Sequence, residues 1–346
     1  MAQQTNNNSG AIYMLKGTFF CIDAHTCGNP VRLVTSGHPQ LIGNNMSEKR
    51  QHFLREYDWI RKGLMFEPRG HDMMSGAFLY PPCSDNADAS ILFIETSGCL
   101  PMCGHGTIGT VTSAIESGLL TAKTPGRLII DVPAGQIKID YQKTDEKVDW
   151  VKIYNVPAYL AHQDQILDIP GLGTLKVDVS YGGNYYVIVD PQENFPGLRH
   201  WSAADILRWS PIVRAVADEQ LTCIHPNDPT VSGITHVLWT GDTMTSGSDG
   251  ANAVFYGDKA IDRSPCGTGT SARLAQLYAK GQLQVGEEYT HESIIGSQFV
   301  GRIESAAQVG DYQGIMPSIK GWARMTGNNA ITIDDSDPYA FGFQVV

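Results

Sequence analysis

The chain has 346 residues, 42% hydrophobic and 18% charged. That is an ordinary globular composition; it excludes collagen-like, coiled-coil and disordered chains and leaves room for about two domains. Twenty-five Lys and Arg against 36 Asp and Glu give a formal net charge of −11, which disfavours nucleic acid and anionic membranes as partners. Met1–Gly10 is polar and reads as a frayed tail, with no export signal. The seven cysteines are therefore expected as reduced thiols in a cytoplasmic compartment. The uncharged stretch Thr96–Ile115 is long enough to span a membrane, but its Gly, Thr, Ser, Pro, Cys and His content argues against a membrane helix.

In chain order, strands are expected at Gly17–Asp23 and Val31–Val34, flanking a polar turn through Cys27-Gly28-Asn29-Pro30. One helix is expected over Ser47–Lys62, capped by Ser47 and stopped by Gly63. A Gly/Pro-rich loop at Glu67–Asp72 precedes a strand at Ala89–Thr96. Arg127–Val132, Gln136–Tyr141 and Val148–Asn155 read as three strands in antiparallel hairpins. A strand follows at Tyr185–Asp190, and a helix at Ser202–Trp209 that should end at Pro211. This is α+β content without a doubly wound βαβα rhythm. The join between two domains is expected near Tyr159–Gly171, giving halves of 1–165 and 166–324, with 325–346 packing back onto the first.

Two segments repeat. Cys103-Gly104-His105-Gly106-Thr107 and Cys266-Gly267-Thr268-Gly269-Thr270 each open a helix-like stretch, the first ending at Gly118 and the second at Gly281. The cysteines stand 163 residues apart, and so do the terminal glycines. Constant spacing suggests a duplicated unit. Few charges interrupt either stretch, so each should be a buried central helix with a cysteine at its N-terminus. Unpaired helix N–H groups favour an anion there, and they lower a thiol pKa from ~8.5 toward roughly 3.5–7.5. A carboxylate is the natural guest of such amides. Two thiols facing opposite sides of a bound amino acid suit inversion of the α-carbon: one removes a proton and the other returns one. One cysteine must then start ionised and the other protonated, as a coupled pair.

These two segments resemble the proline racemase superfamily. So do Asp23-Ala24-His25-Thr26, Glu67-Pro68-Arg69-Gly70-His71, Tyr181-Gly182-Gly183-Asn184 and Glu292-Ser293-Ile294-Ile295-Gly296. The resemblance implies a diaminopimelate epimerase-like fold: two pseudo-symmetric α/β halves, each wrapping a sheet around a central helix, with the site in the cleft between them. It implies an isomerase acting on a small imino acid without cofactor or metal, and a homodimer. Cys103 and Cys266 resemble the family's two catalytic bases. Gly104, His105, Gly267 and Thr268 resemble its carboxylate binders; Asp262 and His236 resemble groups that hold the ring nitrogen or hydroxyl. Dehydratases in this superfamily lack the second cysteine, which is present here. Ser75 and His236 stand where proline racemases usually carry an aromatic and a cysteine. Two hydrogen-bonding groups there favour 4-hydroxyproline over proline, because an unpaired buried polar group costs roughly 1–3 kcal/mol. Cys27-Gly28-Asn29-Pro30 departs from the Gly-Gly-Glu-Pro of many relatives.

Blander readings stand beside these. A free cysteine is most often a packing residue, which is the expectation for Cys21, Cys27, Cys83 and Cys223. Cys99, Cys103 and His105 lack a second cluster at zinc spacing. His25 and His71 read as loop braces. Outside racemases and epimerases, the alternatives are a cysteine-based redox protein and a non-catalytic amino-acid binding protein.

Overall fold

The computed structural model describes residues 16–345, so the expected N-terminal tail lies outside the described residues. The chain runs β1 (Lys16–Thr26), β2 (Asn29–Ser36), α1 (Met46–Glu56), α2 (Asp58–Met65), β3 (Ser75–Tyr80), β4 (Ala89–Glu95), α3 (Gly104–Glu116), β5 (Arg127–Val132), β6 (Gly135–Thr144) and β7 (Lys147–Tyr154). It continues through β8 (Ala158–Ile169), β9 (Gly173–Tyr181), β10 (Tyr185–Val189), α4 (Ala203–Gln220), β11 (Ile234–Gly241), β12 (Gly250–Tyr256), β13 (Ala260–Ile261), α5 (Gly267–Ala279), β14 (Glu288–Glu292), β15 (Gln298–Val309), β16 (Tyr312–Gly321) and β17 (Ala323–Asp334).

The strand pairing repeats, as the sequence repeat requires. β2 runs parallel to β3, β3 antiparallel to β4, and β4 parallel to β5, followed by the antiparallel pairs β5–β6 and β6–β7. The same senses recur in β10–β11, β11–β12, β12–β14, β14–β15 and β15–β16. Parallel neighbours need a crossover. Accordingly α1 and α2 link β2 to β3, α4 links β10 to β11, α3 links β4 to β5, and α5 links β12 to β14. The second set closes on itself, because β16 also pairs with β8, and β8 with β9. The result is a ring of strands around α5. β1 and β17 extend the first set, and β7 pairs with β16 to join the two.

Every residue from Gly104 to Ala114 is buried, and from Gly267 to Leu277 all but Arg273. These are the two central helices anticipated from their scarcity of charge. Gly118 (φ 72°) and Gly281 (φ 70°) supply the left-handed residue that terminates each one.

Four expectations are corrected. The single helix over Ser47–Lys62 is two helices broken at Tyr57 (φ −129°), and the side chain that caps α1 is Asn45, which accepts from the Glu48 N–H. Gly63 does not stop α2. A Cβ there would lie 2.4 Å from Ile333 Cδ1, so it is a close-packing glycine. Pro211 lies inside α4, which continues to Gln220 because Ile206, Ser210, Val213 and Ala217 keep one buried face across it. Finally, residues 159–171 lie within β8 and the turn after it, not in a linker. Strand pairing changes hands at Asn155–Pro157, between β7 and β8, and again at Gly321–Trp322, between β16 and β17.

Candidate active site

The N-termini of α3 and α5 meet head to head. A Cβ on Gly104 would lie 2.6 Å from Gly267 Cα, and one on Gly267 would lie 2.7 Å from Gly104 Cα. Only residues without side chains allow that approach. The second glycine of each motif has a different job. A Cβ on Gly106 would come within 2.8 Å of Cys103 Sγ, and one on Gly269 within 3.1 Å of Cys266 Sγ. The repeat therefore encodes two abutting helix ends with room for a sulfur beside each. The first amides of each helix, those of Gly104, His105, Gly267 and Thr268, have no acceptor within their own helix.

Cys103 caps α3, accepting from the Gly106 N–H at 3.3 Å. Its Sγ lies 3.0 Å from Glu95 Oε1 and 3.6 Å from His105 Nδ1. Cys266 caps α5 in a left-handed conformation (φ 62°, ψ 110°), unusual for a residue with a side chain. The turn before it explains how that conformation is held. Asp262 Oδ1 accepts from the Ser264 N–H and hydroxyl, both at 2.8 Å, and Ser264 Oγ accepts from the Cys266 N–H at 3.1 Å. Cys266 Sγ lies 3.3 Å from the Tyr186 hydroxyl, which itself sits 2.5 Å from Thr268 Oγ1.

His105 bridges the halves. Asn29 Oδ1 accepts the Arg263 N–H at 3.0 Å, which turns Asn29 Nδ2 toward His105 Nε2, also at 3.0 Å. In the neutral ring the proton then belongs on Nδ1, which faces Asp262 Oδ2 at 3.7 Å. His236 stacks on Tyr186 with ring centroids 4.6 Å apart, and its Nδ1 is engaged by the Thr235 hydroxyl. Burial, first, and Arg214 push its pKa down to about 3, so it is a neutral ring. Ser75 begins β3 opposite Glu95, and its Oγ is buried beside the Tyr256 hydroxyl. Tyr256 ends β12, and its hydroxyl donates to the Met73 carbonyl.

The expected depression of the thiol pKa values does not hold. Burial, first, and then the Glu95 carboxylate push Cys103 well above its ordinary value. Burial, first, and then Asp262 push Cys266 up as well. Desolvation with an adjacent carboxylate outweighs the helix amides. Glu95 and Asp262 are themselves raised, chiefly by burial.

Contacts bring Cys103, Gly104 and His105 of α3 together with Gly267 of α5 and Asp262 of the turn before it, and Cys266 lies beside Thr268; Ser75 pairs in register with Glu95, and His236 packs on Tyr186. Sequence reasoning missed Glu95, Asn29, Tyr186 and Tyr256. Only Glu95 carried a signal, as the one charge closing the apolar strand Ala89–Glu95. Glu95, Cys103 and His105 bring donor atoms within 4.8 Å of one another. Those atoms are already engaged with each other and with Ser97, Asn29 and Asp262, which is the pattern of a hydrogen-bond network. The other five cysteines are also free. Burial pushes Cys27 up to about 11, and Cys21, Cys99 and Cys223 up to about 12. Cys83 departs from the packing expectation, being partly exposed with Lys49 Nζ at 3.2 Å. No helix among the described residues is long and apolar enough to cross a membrane.

The proline racemase family model matches residues 21–344. The chain belongs to the proline racemase family. It is 82% identical over 333 residues to a 4-hydroxyproline 2-epimerase of Shewanella loihica, covering 96% of this chain and all of that one. It is 62% identical over 329 residues to one of Spirosoma linguale, covering 95% and 98% of the two chains. The crystal structure of a hydroxyproline epimerase from Agrobacterium vitis, with bound trans-4-hydroxy-L-proline, superposes with a TM-score of 0.87 at 25% identity, covering 95% of each chain. The family fold is the α+β arrangement of two halves described above.

Proposed function

We propose that this chain is a 4-hydroxyproline 2-epimerase, inverting the α-carbon between trans-4-hydroxy-L-proline and cis-4-hydroxy-D-proline. The observation that carries the reading is the contact of Gly104 with Gly267, which sets a thiol at each of two opposed helix ends. The substrate carboxylate lies against the free amides of those ends. The Cα–H bond breaks toward one sulfur as a thiolate. The opposite thiol then delivers its proton to the other face of Cα, and the enzyme is left with the two protonation states exchanged. Burial keeps water from the carbanion-like transition state, and the fixed amide dipoles stabilise it. Asp262 faces the ring nitrogen. Ser75, a buried hydroxyl beside Tyr256, and neutral His236 receive the ring hydroxyl. The free cysteines support a reducing, cytoplasmic setting.

The test is exchange at the α-position in deuterated water. Deuterium should enter the product from trans-4-hydroxy-L-proline with the wild type and be lost in Cys103→Ser and Cys266→Ser. A wild type that exchanges proline much faster than hydroxyproline reverses the substrate assignment; no exchange with either removes the epimerase.

A further inference from the structure

We propose that Glu95 is a positioning residue for Cys103, holding that sulfur as a thiol so that Cys266 is the first of the two sulfurs to ionise in the free enzyme. The inference rests on the two-thiol reading above and adds the order in which the sulfurs ionise.

The two sulfurs have unlike surroundings. Glu95 ends β4 and is fixed at both main chain and side chain. Its N–H donates to the Gly98 carbonyl at 2.7 Å, and its own carbonyl accepts from Arg61 Nη1 at 2.8 Å. Oε2 accepts the Ser97 hydroxyl at 3.1 Å, which leaves Oε1 facing Cys103 Sγ at 3.0 Å, and the residue is only 2% exposed. An ionised carboxylate is acceptor-only, so the sulfur opposite it must supply the hydrogen. A carboxylic acid is normally the stronger acid by several pKa units. The single proton of the pair therefore rests on sulfur.

Cys266 faces hydroxyls instead. The Tyr186 and Thr268 hydroxyls share one hydrogen across their 2.5 Å contact, which leaves the other to donate to a thiolate, from Tyr186 at 3.3 Å or from Thr268 at 3.9 Å. Asn184 Nδ2, at 3.4 Å from Thr268 Oγ1, can orient that pair toward donation. The strand that corresponds to β4 in the repeat is β12, and it ends in Tyr256, so the second half has no carboxylate in Glu95's place. The other ionisable groups facing Glu95 and Cys103 are His105 on α3, Asp262 and Cys266 from the start of α5, and Tyr256 on β12. Arg61 on α2 is occupied by Asp58 and by the Glu95 carbonyl. Asp262 opposes ionisation of Cys266 by its charge and also draws on the Cys266 thiol hydrogen, but one of its oxygens is spent on Ser264 and the other faces His105 Nδ1 at 3.7 Å. Glu95 opposes ionisation of Cys103 by its charge and also by accepting the thiol hydrogen.

The experiment is alkylation with iodoacetamide at mildly alkaline pH, read by peptide mass spectrometry without substrate. In wild type Cys266 should label faster than Cys103 by about ten-fold or more, the ratio that one pKa unit produces. Glu95→Gln removes the charge and can donate to sulfur, so the ratio should fall by about ten-fold. Glu95→Asp should restore part of it. In turnover, the basic limb of the kcat/KM profile should move to lower pH in Glu95→Gln, because Cys103 then ionises more easily. Thermal unfolding confirms that each variant is folded. If neither sulfur labels, ultraviolet thiolate absorbance in the C103A and C266A variants gives the same ordering. Cys103 reacting or ionising as readily as Cys266 in wild type overturns the proposal, and so does an unchanged ratio in folded Glu95→Gln. Alkylation needs no turnover. A failed hydroxyproline assay with the expected labelling therefore sinks the substrate alone, while normal epimerisation with unchanged labelling sinks the role of Glu95.

Discussion

A methyl group at position 104 meets the Gly267 backbone at 2.6 Å, and neither helix end is a flexible side chain that could step aside. Gly104→Ala must therefore push α3 and α5 apart and move both sulfurs relative to one bound carbon. Displacements near 1 Å cost about 10²-fold in rate, so Gly104→Ala should lose at least about that much kcat/KM while retaining its fold by circular dichroism. Full activity would mean that the contact does not set the reacting geometry. Ser75 makes a second residue-scale case. Its hydroxyl is small and buried beside Tyr256, so Ser75→Ala removes a partner for the ring hydroxyl without opening a large cavity. The specificity constant for 4-hydroxyproline should fall roughly ten- to a hundred-fold, the worth of about 1–3 kcal/mol. Exchange of proline should change little. An equal loss on both substrates would assign Ser75 to packing.

Helices and strands were legible where pattern and burial agree and illegible where tertiary packing overrides them. The repeat gave away α3 and α5, because a Gly-rich, uncharged stretch has few other reasons to exist. β8 was hidden by Ala161-His162-Gln163-Asp164, a largely polar run inside the stretch where the domain join is expected. It is a strand whose pairing slips twice there, with Asp164 at φ 52°. β15 buries Phe299, Gly301 and Ile303 in alternation, then loses phase at a bulge before Ser305. The cysteines and their glycines could be found because they share one short string. Asn29, Tyr186 and Tyr256 could not, since each belongs to a different strand and meets the site only in three dimensions. Gly63 is the element-scale test. On propensity alone Gly63→Ala should stabilise α2 by about 1 kcal/mol. The new methyl, however, lies 2.4 Å from Ile333 Cδ1 and 3.0 Å from the Ala340 carbonyl. Overpacking costs typically about 1–3 kcal/mol, so the net effect should be destabilising and visible as a lower unfolding midpoint in urea. A higher midpoint would show that β17 yields without cost.

The molecule as a whole keeps several ionisable groups in protonation states that water would not give them, and its stability must depend on pH accordingly. Burial pushes His236 and His291 down to about 3, so both are neutral when folded. Unfolded histidines bind a proton below about pH 6.5. From there down to about 3 the unfolded chain holds more protons than the folded one at these two sites, and their contribution destabilises the fold increasingly as pH falls. The slope is at most about 1.4 kcal/mol per pH unit for each histidine. Glu95 and Asp262 carry the opposite sign. Their values are raised, so the folded chain takes up protons before the unfolded one does, which offsets part of the loss. The histidine contribution is isolated by difference. His291 lies in the strand ring around α5, bonded to Thr270 and Asn252. His291→Gln cannot titrate, so its unfolding midpoint should fall less steeply than wild type between about pH 6.5 and 4, whatever its stability at neutral pH. Parallel curves would mean that His291 is charged in the folded protein, and the dry interior inferred around the central helices would have to be wetter than its packing implies.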